Sequence, residues 1–236
     1  MNESRAHSNT PQTYQATVLP RKGGREVLQL KTFPIEEPGP LQLRVRVPAA
    51  GVGGTDLSML AGNYLYAPKM PLVPGYEVAG VVDALGSGVT GFALGQRVAA
   101  LTVYGGFGQM PLREAEHFVP IPDGVSDVWK QLRSILNYVT AWQMIHRIAK
   151  VQPGQTALVT GAAGGVGTAL LQLLHLAGAR TYGAASLMKH GMVGKLGATP
   201  IDYRSGGMDR LTRVLEPQGQ RLCAFPRVRS WRRPLR

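Results

Sequence analysis

Residues 159–167 read VTGAAGGVG, a β-branched start that gives way to four glycines before TALLQLLHLAGA opens at residue 168. So small a set of side chains suits a bend in which backbone must come close to a ligand or to another stretch of backbone. TALVT (156–160) ahead of it is nearly all apolar, as in a strand buried on both faces. Behind it, Leu170, Leu171, Leu173, Leu174 and Leu176 make a wide helical stripe. A strand handing over to a helix in this way leaves the first helical N–H groups without intrahelical partners, at the positive end of the macrodipole. A pyrophosphate would satisfy both features. Gly161 would then supply the tight turn, Gly164 the close approach of phosphate to backbone, and Gly167 the close packing of helix on strand. The spacing is GxxGxxG rather than GxGxxG, and such a string alone also fits an ordinary flexible turn. No GK[ST] follows, which excludes a P-loop.

The end of the following strand bears on which nucleotide is bound. An NAD site places Asp or Glu roughly 20 residues after the first glycine, to hold the ribose 2′-hydroxyl. Here the run is YGAASLMKHG, with no acid between residues 162 and 201. Ser186 and Lys189 stand where the acid would be, and Tyr203 and Arg204 follow the next strand. A hydroxyl and a cation suit a 2′-phosphate, so the pattern favours NADP(H). A solvated helix lysine is the plainer account of Lys189.

These residues need elements to position them. ARTYGA (179–184) reads as a second strand, LMKHGMVGKLG (187–197) as a glycine-interrupted helix, and TPID (199–202) as the lead into a third strand. Strand, helix, strand, helix, strand begins a doubly wound parallel sheet. Residues 127–149 lack Pro and Gly and read as a helix ahead of it. The first 120 residues differ, with YQATVL (14–19), VLQLK (27–31), YEVAGVVDAL (76–85) and QRVAALTV (96–103) as β-prone runs. LQLRVRV (41–47) alternates, with Leu41, Leu43, Val45 and Val47 on one face and Gln42, Arg44 and Arg46 on the other. That is the pattern of a half-buried antiparallel strand. A small β-rich barrel or sandwich, closing near VPIPDG (119–124), accounts for this part.

The order of elements reads as an α/β protein, and the composition, 44% hydrophobic and 17% charged, is that of a soluble globular one. Cys223 is the only cysteine, which excludes an internal disulfide and a thiolate zinc cluster. No apolar stretch approaches the roughly 20 residues of a membrane span. The polar start MNESRAHSNTPQT has no signal-peptide core, so a cytoplasmic location is the default expectation. The net charge of +12 suggests nucleic acid at first sight, but half of it comes from Arg221, Arg227, Arg229, Arg232, Arg233 and Arg236 in a terminus without acids. Such a tail could meet phosphates, but a solvated or disordered terminus is the preferred account, so nucleic acid is not the expected partner.

Several stretches in order resemble one family: GGREVLQL (23–30), AAGVGGTDLSMLAGNY (49–64), PLVPGYEVAGVVDALGSGVTGFALGQRVAAL (71–101), ILNYVTAWQMIHRIAKVQPGQTALVTGAAGGVG (135–167) and KH…LGATPIDYR (189–204). The chain resembles the alcohol dehydrogenase-like medium-chain dehydrogenase/reductase superfamily, in its zinc-free quinone-oxidoreductase branch. Its wording is closest to the subgroup of VAT-1 homologues. The resemblance implies a GroES-like catalytic domain over 14–124 and a Rossmann NADP-binding domain over 125–218, between a flexible N-terminus (1–13) and a basic, disordered tail (219–236). It implies NADPH as cofactor, held by Gly161, Ala162, Gly164, Gly165, Val166, Gly167, Gly183, Ser186, Lys189 and Tyr203. It implies hydride transfer to a small quinone or activated alkene or carbonyl, with Asp56, Tyr64, Asn137 and Thr140 as catalytic-pocket positions. Tyr64 fits core filling as well as ligand contact. Asn137 and Thr140 lie one helical turn apart and match the positions that line the nicotinamide pocket. Zinc-dependent relatives carry a cysteine in the stretch reading GVGGTD here and a histidine where Tyr76 stands, so no metal is expected.

The ending departs from the family. Relatives place a buried fourth strand near 220, whereas RLCAF here is short and runs at once into Pro226 and arginines. The expectation is a C-terminally truncated Rossmann sheet of three strands, its first strand left as an edge that invites association into a homo-oligomer. A catalytically impaired nucleotide-binding or interaction protein of the same family is the alternative to an active reductase.

Overall fold

The computed structural model describes residues 13–66, 68–124 and 135–204, and the backbone of 222–225. The chain divides into two compact units, Met1–Ile135 and Leu136–Arg236.

In the first unit, β1 (Thr13–Val18) and β2 (Gln29–Pro34) form an antiparallel pair. A five-stranded antiparallel sheet follows, in the order β6-β3-β4-β5-β7. It comprises β3 (Gln42–Ala50), β4 (Glu77–Leu85), β5 (Arg97–Leu101), β6 (Leu112–Glu114) and β7 (Phe118–Pro120). Helix α1 (Gly54–Leu60) connects β3 to β4. Leu43, Val45, Val47, Val78, Val82, Val98, Ala100 and Phe118 form the core against the sheet.

The alternation expected over 41–47 holds for Leu43, Val45 and Val47 but not for Leu41 or, on the opposite face, for Arg44. Leu41 is exposed, and Arg44 is buried. Arg44 Nε donates to Asp83 Oδ2 (2.6 Å), and Nη1 donates to Glu37 Oε1 (3.1 Å) and to the Glu36 carbonyl (2.9 Å). The strand also shifts register against β4 after Arg44 and after Arg46, so strict alternation does not survive the bulges. An arginine with this many charged and carbonyl acceptors is buried because it is paired, which periodicity alone does not show.

In the second unit, α2 (Ile135–Trp142) enters from the preceding unit's last residue and runs into a π-helical stretch, Gln143–Ala149. It ends at Lys150 in the left-handed region (φ 49°). The segment 127–134, expected as helix, lies outside the described residues. β8 (Thr156–Thr160), α3 (Gly165–Leu176), β9 (Arg180–Ala185), a 3₁₀ turn at Leu187–Lys189, α4 (His190–Lys195) and β10 (Thr199–Asp202) follow. The strands are parallel, as the apolar TALVT run requires. α3 stops because Gly178 turns the chain at φ 69°. Ala157, Val159, Leu170, Leu171, Leu174, Ala185 and Val193 fill the core between sheet and helices.

Among the described residues the sheet has four strands, not three. β11 (Leu222–Phe225) pairs parallel with β8, in register Leu222↔Thr156 to Phe225↔Val159, giving the order β10-β9-β8-β11. The first strand is therefore not an edge, and residues 222–225 of the expected disordered tail form a strand. Four residues suffice for the ladder because Pro226, which cannot donate to it, comes after the last pair. Residues 205–221 and 226–236 lie outside the described residues.

Candidate functional site

In the second unit the positions expected to hold a nucleotide collect at the carboxyl end of the parallel sheet, where open α/β sheets bind ligands. β8 ends at Thr160, and Gly161 takes φ 62°, in the left-handed region, to turn into the loop. The loop is tied down by Ala162 N–H donating to the Ala184 carbonyl of β9 (3.1 Å) and by Gly164 N–H donating to the Gly161 carbonyl (2.9 Å). Gly164 precedes α3 with no side-chain cap, and the first bond into the helix is Thr168 N–H to the Gly164 carbonyl (2.9 Å). The N–H groups of Gly165, Val166 and Gly167 precede that bond at the positive end of a twelve-residue helix.

The glycines divide by role. A Cβ on Gly161 would meet nothing, so that residue is needed for its backbone angle. A Cβ on Gly167 would collide with the Gly161 carbonyl and come within 2.8 Å of Ala162 Cα, so only glycine lets helix and turn pack. Gly183 on β9 is buried, and a Cβ there would lie 2.6 Å from Val193 and 3.1 Å from Ala162. A turn whose leading N–H groups precede the first intrahelical bond, with only the Gly161 carbonyl near the open side of Gly164, fits a pyrophosphate.

Ser186 and Tyr203 come one residue after the Ala185↔Asp202 pair of β9 and β10, at neighbouring strand ends. Lys189, exposed, closes the turn that Ser186 begins, its N–H donating to the Ser186 carbonyl (2.8 Å). The structure thus groups Ser186, Lys189 and Tyr203 with a residue outside the expected set. The Arg204 guanidinium lies 5.4 Å from the centre of the Tyr203 ring, and the Arg204 backbone N–H donates to Asp202 Oδ1 (3.0 Å). A cation directly after the third strand was the available sequence signal for it.

Asn137 and Thr140 share one face of α2, a turn apart. The Asn137 amide sits over Gly165, where a Cβ would come within 2.6 Å of Nδ2. Asn137 is thereby placed at the start of α3. No comparable placement marks Thr140.

In the first unit, Asp56 and Tyr64 meet around Gly75 and Tyr76. Asp56 is buried in the first turn of α1, and Gly53 N–H donates to its Oδ2 (2.7 Å). Its Oδ1 is buried without a hydrogen-bond partner. Burial pushes the carboxyl above the usual range, and the N–H groups of Gly53, Gly75 and Tyr76 pull it back in part. The latter two act by proximity, short of hydrogen-bond geometry at Oδ1. Tyr64 and Tyr76 share a hydroxyl–hydroxyl hydrogen bond (2.9 Å), their rings edge to face at 6.0 Å. That bond, with burial, pushes the Tyr64 phenol up to about 12. Tyr76 was expected only as a residue unable to bind zinc, and the structure makes it the partner of Tyr64. Among the described residues no three His, Cys, Asp or Glu side chains group as a metal site, and no helix is long and apolar enough to cross a membrane.

These two units define a class: a GroES-like, curled β-sheet domain with a smaller, incomplete Rossmann-like parallel-sheet domain. Comparison with known proteins agrees. Residues 39–123 match the alcohol dehydrogenase GroES-like domain. The mouse synaptic vesicle membrane protein VAT-1 homolog-like is 37% identical over 181 residues, covering 76% of this chain and 43% of that protein. Rat quinone oxidoreductase is 32% identical over 166 residues, covering 69% of this chain and 50% of the relative. The crystal structure of human VAT-1 homolog-like protein superposes with a TM-score of 0.80 at 32% identity, covering 86% of this chain and 65% of that one. Escherichia coli quinone oxidoreductase complexed with NADPH gives 0.77 at 27% identity, covering 89% and 65%. An NAD-dependent alcohol dehydrogenase gives 0.77 at 30% identity, covering 87% and 68%. The chain belongs to the medium-chain dehydrogenase/reductase superfamily, in the quinone-oxidoreductase and VAT-1-like branch. It spans about half the length of the curated relatives it matches.

Proposed function

We propose that the chain is a zinc-independent, NADPH-dependent oxidoreductase acting on a small quinone or an activated alkene or carbonyl. The observation that carries this is the Gly161–Gly167 turn, with its N–H groups ahead of the first intrahelical bond at the start of α3 and no acid at the end of β9. In this reading Gly161, Ala162, Gly164, Gly165, Val166 and Gly167 cradle the pyrophosphate, and Gly183 keeps β9 close beneath it. Ser186, Lys189, Tyr203 and Arg204 receive the 2′-phosphate, to which a cation makes a charge-assisted contact that a bare ribose cannot offer. Bound, the cofactor supplies the hydride. Asn137 holds the start of α3, and Thr140 is its partner on the pocket face of α2. Tyr64, steadied by Tyr76, offers a hydroxyl to the substrate, and Asp56 fixes the Gly53 loop. The NADPH held by the Escherichia coli relative supports this reading, and the NAD-dependent relative makes the choice of nucleotide the point to test.

The test is titration of the chain with NADPH and NADH, followed by nucleotide fluorescence. NADPH should bind more tightly. Lys189→Ala should weaken NADPH by about 1.5–3 kcal/mol, the worth of a hydrogen bond to a charged group, and leave NADH nearly unchanged. Lys150→Ala, ahead of β8, is the control and should show no such preference. Equal loss for both nucleotides would remove the NADP assignment. NADPH binding without turnover of any quinone or enone would favour a nucleotide-binding protein over a reductase.

A further inference from the structure

Apart from the nucleotide turn, the first unit contains a cavity of about 510 Å³ between β1, β6 and the loops at Pro68–Val73 and Tyr104–Gly108. That volume suits a small organic ligand. Its lining mixes polar and apolar surface, with Ala16, Leu72 and Met110 buried on the apolar side and Lys69 and Glu36 exposed on the polar side. Into this lining comes one half-buried guanidinium, that of Arg113. Arg113 Nη1 donates to the Leu112 carbonyl (2.7 Å) and Nη2 to the Tyr104 carbonyl (2.6 Å). The group lies 5.2 Å from the centre of the Tyr104 ring. It packs over Gly105, whose φ of 91° and missing Cβ leave it room.

Both acceptors are neutral. Among the described residues no carboxylate lies within ion-pair distance of Arg113, in contrast to Arg44, which has two. Burial lowers the Arg113 pKa, and only the Tyr104 and Tyr14 hydroxyls act against that. Glu36 also lines the cavity, but it is exposed and acts on Tyr14 rather than on the guanidinium. A desolvated cation whose charge has no counter-ion is costly, and an anion entering the cavity would relieve it. With Lys69 as the second cation of the lining and Glu36 as its carboxylate, the charge left over is a single positive one. That matches a monoanion with an apolar body better than a phosphate, which needs more charge and more donors.

We propose that this cavity binds a small organic carboxylate, its carboxylate group taken by Arg113 and its apolar body lying against Tyr104, Met110 and Leu72. The site is separate from the nucleotide turn and does not depend on the oxidoreductase reading.

The experiment is calorimetric titration of the full chain with 2-naphthoate and with 2-naphthamide, which differ in charge but hardly in shape. The acid should bind at least about tenfold more tightly than the amide, as loss of a charge-assisted hydrogen bond implies. Arg113→Met should bring the two to the same affinity and leave NADPH titration as in the parent chain. Because Arg113 also holds two carbonyls, Val73→Trp serves as a second variant that fills the cavity and keeps the guanidinium. It should abolish binding of the acid. Equal binding of acid and amide, or no binding of either, would overturn the proposal. So would acid binding untouched by Val73→Trp, which would place the carboxylate elsewhere on this basic chain. Displacement of naphthoate by equimolar inorganic phosphate would reduce the site to one for any anion and overturn it as well.

Discussion

Tyr64 with Tyr76 in the first unit, and Gly161 with Gly167 in the second, are two ways of fixing atoms at a candidate site, and they use opposite parts of the chain. In the first unit side chains do the holding: hydroxyl on hydroxyl at Tyr64, carboxylate on a loop N–H at Asp56, guanidinium between carboxylates at Arg44. In the second the backbone does it, through a left-handed turn at Gly161 and a contact at Gly167 that leaves no space for a Cβ. A side-chain contact removed by substitution costs one interaction. An atom added where backbone meets backbone has nowhere to go, because the turn is bonded to β9 and the helix to the core.

The largest effect is therefore expected at Gly167. Gly167→Ala should destabilise the second unit by about 3 kcal/mol or more, as overpacking against immovable backbone does. Urea denaturation with nucleotide binding as a second readout measures it. A stable variant that binds NADPH like the parent would show that the turn has slack and would dissolve the contrast.

Asp83→Ala comes next. It leaves buried Arg44 with only Glu37, whose side chain is 84% exposed, as its charged partner. A loss of about 2 kcal/mol follows from stranding a buried charge that keeps some other acceptors. A change under about 0.5 kcal/mol would class this bridge with ordinary surface pairs.

The smallest effect is expected at Tyr76. Tyr76→Phe removes one hydroxyl–hydroxyl bond, worth about 1 kcal/mol. Its sharper signature is titration. The Tyr64 phenol, held at about 12, should fall towards the ordinary value of 10.0 in the variant, read from tyrosinate absorbance. Because the folded value is the raised one, the contribution to stability is whole below 10.0 and disappears as pH rises through about 12. The parent should thus lose stability over that interval and the variant lose less.

Much of the second unit was legible because its signals are local. TALVT is bounded by turn residues and became β8 at residues 156–160, the leucine stripe became α3, and Gly178 stopped it where a left-handed residue was needed. The glycine turn was legible for the same reason, since a strand, a bend and a helix follow one another along the chain. Arg44 was misread as solvent-facing because alternation records which face a residue occupies, and the covering of that face by Asp83 comes from another strand. RLCAF was set aside as too short, since its pairing with β8 joins residues more than sixty positions apart.

The sequence by itself determined the order of strands and helices over residues 156–202 and the place of the glycine bend, since each depends on backbone propensity and near neighbours. Only the tertiary structure decided that Tyr76 bonds Tyr64, that Asn137 covers Gly165, that Arg113 lines a cavity with no carboxylate at ion-pair distance, and that β8 has a neighbour on both sides. Each of these depends on register and packing between segments distant in sequence, where a shift of one residue would turn the side chain to the other face.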